Sequence, residues 1–153
     1  MEDLTFRKAI SSDAAVLYAL RARSILELAP SAMPLEEVRK WAERGSAESM
    51  LQRLEQTEVW VAEVPSQIVA WAAVRGGDYL DALYVDPRFA RRGIGSRLLR
   101  LIEDVLSGRG ISVIRADASW NAEDFYVKCG YEPLGPRPPG EARPMRKHLP
   151  DKT

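Results

Sequence analysis

Between Tyr79 and Ala116 the chain passes from an apolar, strand-like run (Tyr79 to Val85) through a turn of glycines and arginines into an amphipathic helix, and then into a β-branched run, Ile111 to Ala116. A strand, a helix and a second strand in that order make a right-handed crossover, so the two strands are expected to run parallel. Every other element has to be arranged around that pair. The turn itself reads Asp86-Pro87-Arg88-Phe89-Ala90-Arg91-Arg92-Gly93-Ile94-Gly95-Ser96. The first turn of a helix leaves backbone N–H groups unpaired, and the helix dipole adds partial positive charge there, so a glycine-rich entry is a natural anion site. Taken alone, the same residues would serve equally well as an ordinary turn carrying solubilising arginines.

The flanking segments specify the rest of the sheet. Leu4 to Ala9 reads as a first strand, and Ser11-Ser12-Asp13 supplies N-cap chemistry for a helix reaching about Leu28. Leu17, Tyr18, Ile25 and Leu28 share one face of that helix, with Arg21 on the same stripe as either a snorkelling side chain or a cleft residue. Pro34 suits the first turn of a second helix lined by Leu35, Val38 and Trp41, and Ser46 can cap a further short helix carrying Met50, Leu51 and Leu54. The period then changes to that of strands. Val59 to Val64, Gln67 to Val74 and Tyr79 to Val85 are separated by the tight turns Pro65-Ser66 and Arg75-Gly76-Gly77-Asp78, which predicts an antiparallel meander. The helix from Gly93 places Ile94, Leu98, Leu101, Ile102 and Val105 on one face. A last helix fits Ala122 to Lys128, stopped by Gly130, and a last strand fits Met145 to Leu149 after a proline- and glycine-rich loop. The fold class is α+β, in the order β-α-α-β-β-β-α-β-α-β, with an antiparallel meander leading into the parallel pair.

Composition narrows the function. At 153 residues the chain has one-domain length, and we read residues 1–153 as a single domain. The acidic start lacks the layout of a secretion signal, and no apolar run approaches the roughly 18 residues of a membrane span, so a cytoplasmic protein is expected. One cysteine, Cys129, and one histidine, His148, offer neither a disulfide nor metal-ligand spacing, so no metal is expected. Residues 1–86 carry 14 acidic and 9 basic side chains and residues 87–153 carry 8 and 13, so the two segments are oppositely charged although the whole is neutral. There is no dense basic stripe with interleaved aromatics, which argues against nucleic acid.

Two strings then become specific. Leu83-Tyr84-Val85-Asp86-Pro87 followed by Ala90-Arg91-Arg92-Gly93-Ile94-Gly95-Ser96-Arg97-Leu98-Leu99 resembles the acetyl-CoA-binding motif of the GNAT N-acetyltransferase superfamily. Ser119-Trp120-Asn121-Ala122-Glu123-Asp124-Phe125-Tyr126 through Tyr131 is similar to that superfamily's Asn-Ala-x-x-Phe-Tyr segment, and Met145 to Leu149 to its final strand. The element order matches as well, so the likeness spans nearly the whole chain. One position departs: Ala90 stands where the family has Gln or Arg, a loss that Arg91 or Arg92 can offset because the motif works chiefly through main-chain N–H groups. A dinucleotide-binding glycine loop fits worse, since Leu98 stands where its third glycine belongs, and no Gly-Lys-Ser/Thr follows as a P-loop requires.

The resemblance implies an enzyme that moves an acetyl group from acetyl-CoA, as co-substrate, to an amine by direct attack. It places the pantetheine arm along the main chain of Leu83, Tyr84 and Val85, the pyrophosphate on Arg91, Arg92, Gly93, Ile94, Gly95 and Ser96, and a further amide contact on Asn121. Tyr126 is the implied general acid for the departing thiolate. For the base, Asp81 is the first candidate, with Tyr79, Glu63 and an ordered water chain as alternatives. Trp41, Trp60, Trp71 and Trp120 are candidates for lining an acceptor pocket, although tryptophans more commonly pack cores. The acceptor stays open among small amines, amino acids, protein lysines and protein N-termini, with the acidic first half favouring a cation. Dimers are common among such proteins. The competing readings are a non-catalytic acyl-CoA sensor or partner-binding module, and a nucleotide-binding domain.

Overall fold

In chain order the elements are strand β1 (Thr5–Lys8), helices α1 (Ala14–Leu28), α2 (Leu35–Ala42) and α3 (Ala47–Gln56), strands β2 (Glu58–Val64), β3 (Gln67–Arg75) and β4 (Tyr79–Val85), helix α4 (Ile94–Gly108), strand β5 (Val113–Ala118), helix α5 (Glu123–Lys128), and strands β6 (Glu132–Pro133) and β7 (Arg143–His148). They come from a computed structural model that describes residues 3–28, 33–119, 122–136 and 142–150. The strands form one sheet in the order β1-β2-β3-β4-β5-β7-β6. Among the described residues only the crossover pair β4–β5 is parallel; the other pairings are antiparallel. The expected α+β order is therefore what the chain adopts, with the short helix capped by Ser46 and the two-residue β6 added to it.

The sheet is covered on both sides, which explains why β3 is buried along its length and rich in small residues. On one face Leu98, Leu99, Ile102 and Leu106 of α4 pack on Ala70, Ala72, Val74, Leu80, Ile114 and Ala116. On the other, Leu17 and Leu20 of α1 and Met50 of α3 cover Val61, Trp71, Ala73 and Ala82. Trp71 is fully buried and donates its indole N–H to the Leu17 carbonyl at 3.0 Å, fixing α1 on the sheet. Each fully buried side chain of this kind stabilises the fold by about 1.5–3 kcal/mol.

Two expectations shift on inspection. The strand predicted from Ile111 starts two residues later, because Ile111 completes the end of α4. The Gly110 N–H donates to Ser107 and the Ile111 N–H to Leu106, the paired bonds of a Schellman motif. Arg21 neither snorkels nor enters a cleft: its guanidinium donates to the carbonyls of Trp41, Ala42 and Arg44, satisfying the C-terminus of α2 and tying it to α1.

The exit of β4 is fixed by Asp86, whose side chain is wholly buried. Its carboxylate accepts from Arg23 of α1 at 3.1 Å, from the Arg88 guanidinium at 2.7 Å and from the Arg88 N–H at 3.0 Å. Burial by itself would raise its pKa, but the hydrogen bonds from Arg88 and Arg23 outweigh it and hold the group at about 2. A carboxyl depressed in the folded state stabilises the fold above its ordinary titration range and loses that contribution as the pH falls toward 2. Asp86→Asn should therefore destabilise the protein by about 3 kcal/mol at neutral pH, and less at pH 3 than at pH 7, in urea unfolding followed by circular dichroism.

Candidate active site

The parallel pair is short. β4 and β5 are in register only at Tyr79↔Arg115 and Leu80↔Ala116, after which the strands diverge. On the opposite edge of β4 the pairing with β3 continues to Val85, but it skips Asp81, which forms a bulge between Ala73↔Ala82 and Val74↔Leu80. The Asp86 N–H donates to the Val69 carbonyl at 2.8 Å. Hydrogen-bonded positions alternate along an antiparallel ladder, so Ala82 and Tyr84 also face β3 with their main chain, while Leu83 and Val85 turn theirs toward the gap. Among the described residues, nothing pairs with that edge. It is an open ladder inside the sheet, able to accept an extended chain carrying amide groups.

The gap leads to the start of α4. Gly93 stands at the N-cap in a left-handed conformation (φ 76°), a backbone that an L side chain adopts at a cost of about 1–2 kcal/mol, and no side chain caps the helix. Among the described residues no side chain accepts from the first N–H groups of α4. A Cβ on Gly95 would lie 3.3 Å from Val85 and 3.4 Å from Phe125, so a larger residue there would crowd the slot. Arg91 and Arg92 are exposed at this turn, with Arg92 stacked 5.0 Å from the Phe89 ring. Ile94 is buried beneath and Ser96 half-buried beside it.

α5 supplies the aromatic wall of the slot. Tyr126 is 3 % exposed, held between the rings of Phe125 and Tyr131, each 5.3 Å away and nearly edge-on. Its position follows from how the helix ends. The Tyr131 N–H donates to the Tyr126 carbonyl and the Gly130 N–H to Val127, a second Schellman motif whose apolar contact is the Tyr126–Tyr131 pair. Gly130 at φ 96° makes that reversal possible. Tyr131 is anchored to the Glu103 carboxylate at 2.8 Å, and Lys147 bridges Glu103 at 3.0 Å and the Cys129 carbonyl at 2.8 Å. Burial pushes the Tyr126 hydroxyl well above its ordinary pKa, with Tyr84, Cys129, Asp117 and Asp81 adding to the rise. The described residues offer that hydroxyl no hydrogen-bond partner. It is a neutral, protonated donor at neutral pH.

Slot and wall form one cleft of about 160 Å³ that runs through the sheet. Leu83, Val85, Gly95, Ser119, Ala122, Phe125 and Tyr126 line its α4–α5 side, and Ser24, Ile25, Leu28, Trp41 and Tyr84 its α1–α2 side. Of the second set, the sequence singles out Trp41, one of four tryptophan candidates, and Tyr84, placed by the family motif on the pantetheine arm; Ser24, Ile25 and Leu28 were not legible as site residues. Of the other tryptophans, Trp71 is core and Trp60 bonds Glu58, whereas Trp120 lies outside the described residues, as does Asn121.

The base candidates fall in different places. Glu63 bonds Arg7, at the β1 edge and remote from the cleft. The Tyr79 hydroxyl donates to Asp117, and burial followed by that bond pushes its pKa up to about 12. Asp81 Oδ2 faces Arg75 at 3.3 Å and Arg53 at 3.6 Å, while its Oδ1 is buried without a partner. Asp81 does not line the cleft itself. No group of three or more metal-ligating side chains occurs among the described residues, and none of their helices is long and apolar enough to cross a membrane.

A sheet split at a parallel pair, with a bulged strand on one side and an uncapped helix start at its mouth, defines an acyltransferase-like architecture. The family model of the acetyltransferase (GNAT) domain matches residues 30–143, and the chain belongs to that family. It is 27% identical over 132 residues to the uncharacterized N-acetyltransferase YafP of Escherichia coli, covering 86% of this chain and 83% of that one. A GCN5-related N-acetyltransferase structure from Rhodopseudomonas palustris superposes with a TM-score of 0.88 at 28% identity, over 97% of this chain and 98% of the other. The PaiA N-acetyltransferase of Thermoplasma acidophilum, solved in complex with coenzyme A, shares the fold with a TM-score of 0.82 at 21% identity, over 96% and 99% of the two chains.

Gly130→Ala should destabilise the protein by about 1–2 kcal/mol, because the left-handed backbone must be strained and the new Cβ meets Lys147 at 3.3 Å. Gly108→Ala, in open space at the helical end of α4, should stay within about 0.5 kcal/mol of the parent. Denaturant midpoints of the two variants check this.

Proposed function

We propose that the protein transfers an acetyl group from acetyl-CoA to an amine by direct attack, with Tyr126 as general acid. The observation that carries this reading is the Tyr126 side chain, buried and protonated, with no hydrogen-bond partner for its hydroxyl among the described residues, on the wall of the slot that the open edge of β4 borders. The residues fit the co-substrate: Leu83 and Val85 offer main-chain groups at ladder spacing to a pantetheine arm, and the uncapped start of α4 with Gly93 and Gly95 suits a pyrophosphate. Arg91 and Arg92 add positive charge beside it, and Ile94 and Ser96 belong to the same first turn. Asn121 and Tyr84 complete the assignment carried over from the family motif.

Chemically, the amine lone pair forms a bond to the thioester carbon, the C–S bond breaks, and the Tyr126 proton passes to sulfur. The proton given up by the amine returns to the tyrosine through solvent, so the sum is amide plus free thiol. Negative charge gathers on the thioester oxygen during attack, and a main-chain N–H of the open β4 edge is the donor proposed to meet it. Asp81 is the proposed proton acceptor, acting through water, because its Oδ1 has no partner and its position on the bulge is set back from the cleft wall.

Tyr126→Phe keeps both ring contacts and should lower kcat roughly 100-fold with coenzyme A affinity retained, in a thiol-release assay paired with calorimetry. Unchanged turnover removes Tyr126 from the acid role. Asp81→Asn should lower kcat/KM about tenfold, with Asp81→Glu recovering part of the loss. Equal rates in all three proteins assign the proton to water alone.

A further inference from the structure

The α1–α2 side of the cleft bears on the substrate class, on the footing that the acetyl-transfer reading is correct. Its described lining is Ile25 and Leu28 of α1, Trp41 of α2 and Tyr84 of β4, with Ser24 as a single small hydroxyl beside the Tyr84 phenol. None of these side chains carries a fixed charge. Most of the charged groups around them are engaged, although Arg23 Nε and Asp81 Oδ1 are buried without partners among the described residues. Arg21 is spent on three carbonyls, Arg23 and Arg88 on the buried Asp86, Arg53 and Arg75 on Asp81, and Asp117 on Tyr79. Tyr84 is held from behind, tilted on the fully buried Trp71 ring at 5.2 Å and under the Arg21 guanidinium at 5.9 Å, so it presents a fixed aromatic face.

Such a wall penalises a charged acceptor body. A second ammonium or a carboxylate would shed water against a described lining that holds no charged side chain. An aromatic or branched aliphatic body loses nothing polar there. The same wall acts on the reacting nitrogen. Burial in apolar surroundings disfavours the ammonium form and shifts an amine toward its neutral, nucleophilic state. This side of the cleft is built from the acidic first half of the chain, yet none of its described lining side chains is a carboxylate. We propose that the acceptor is a primary amine carried on a single aromatic or compact aliphatic body without a second charge, and that Trp41 and Tyr84 select it.

Calorimetric titration of the full-length protein saturated with coenzyme A, using 2-phenylethylamine, spermidine and glutamate as probes, tests this separately from turnover. The expected result is 2-phenylethylamine binding at least tenfold more tightly than either charged probe, with Trp41→Ala weakening it about tenfold and Trp41→Phe restoring most of it. Tighter binding of spermidine or glutamate, no binding of 2-phenylethylamine, or indifference to Trp41→Ala overturns the proposal. Parallel thiol-release assays with acetyl-CoA keep the two readings apart: selective binding of the aromatic amine without its acetylation supports this pocket and contradicts the transfer reading instead.

Discussion

A parallel strand pair that separates after two residues leaves backbone groups unpaired inside a sheet, and the rest of the molecule is arranged so that this is tolerable. Unpaired backbone polar groups buried without partners are costly, so the gap between β4 and β5 has to remain open to a polar ligand. Three features hold it open. The bulge at Asp81 changes the course of β4 just past the last paired residue. The Phe125 and Tyr126 rings of α5 stand on one side of the opening. The buried Asp86 ties the end of β4 to α1 and to the turn that leads into α4. Strand divergence, aromatic wall and uncapped helix start are thus one construction seen from three sides.

The chemistry depends on how precisely α5 is placed. A six-residue helix contributes little stability by itself and takes its position from tertiary contacts. Here those contacts converge on its C-terminus, where the glycine reversal brings Tyr131 back onto Tyr126 and the Glu103–Lys147 bridge fastens the returning chain to α4 and β7. Tyr131 is itself kept protonated by burial and by the Glu103 charge it faces, so its hydroxyl stays a donor to that carboxylate. This network acts on Tyr126 by position.

Much of this was legible in the sequence, for identifiable reasons. The crossover is forced by a strand–helix–strand order, and the meander by the turns Pro65-Ser66 and Gly76-Gly77, which are local signals. Tyr126 and the glycine turn were legible because each belongs to a string of fixed spacing. The bulge at Asp81 was not, since neither glycine nor proline marks it and the alternation on each side of it is intact. Arg21 sat on an apolar stripe, and periodicity reports that a residue faces inward without reporting that carbonyls wait there. Ile25 and Leu28 read as ordinary core for the same reason: the period of α1 shows which face is covered, not where the covering stops short and leaves a cleft. β6, at two residues, is too short to have any period.

The central claim is that the open edge of β4 and the first turn of α4 receive the co-substrate. Amide hydrogen exchange with and without coenzyme A measures this at the backbone groups concerned. The account predicts at least tenfold slower exchange at Leu83, Val85 and residues 93–96 on binding, with β1 and α3 unchanged. Binding of coenzyme A that leaves those amides as they were, or that protects a different edge of the sheet, would contradict it.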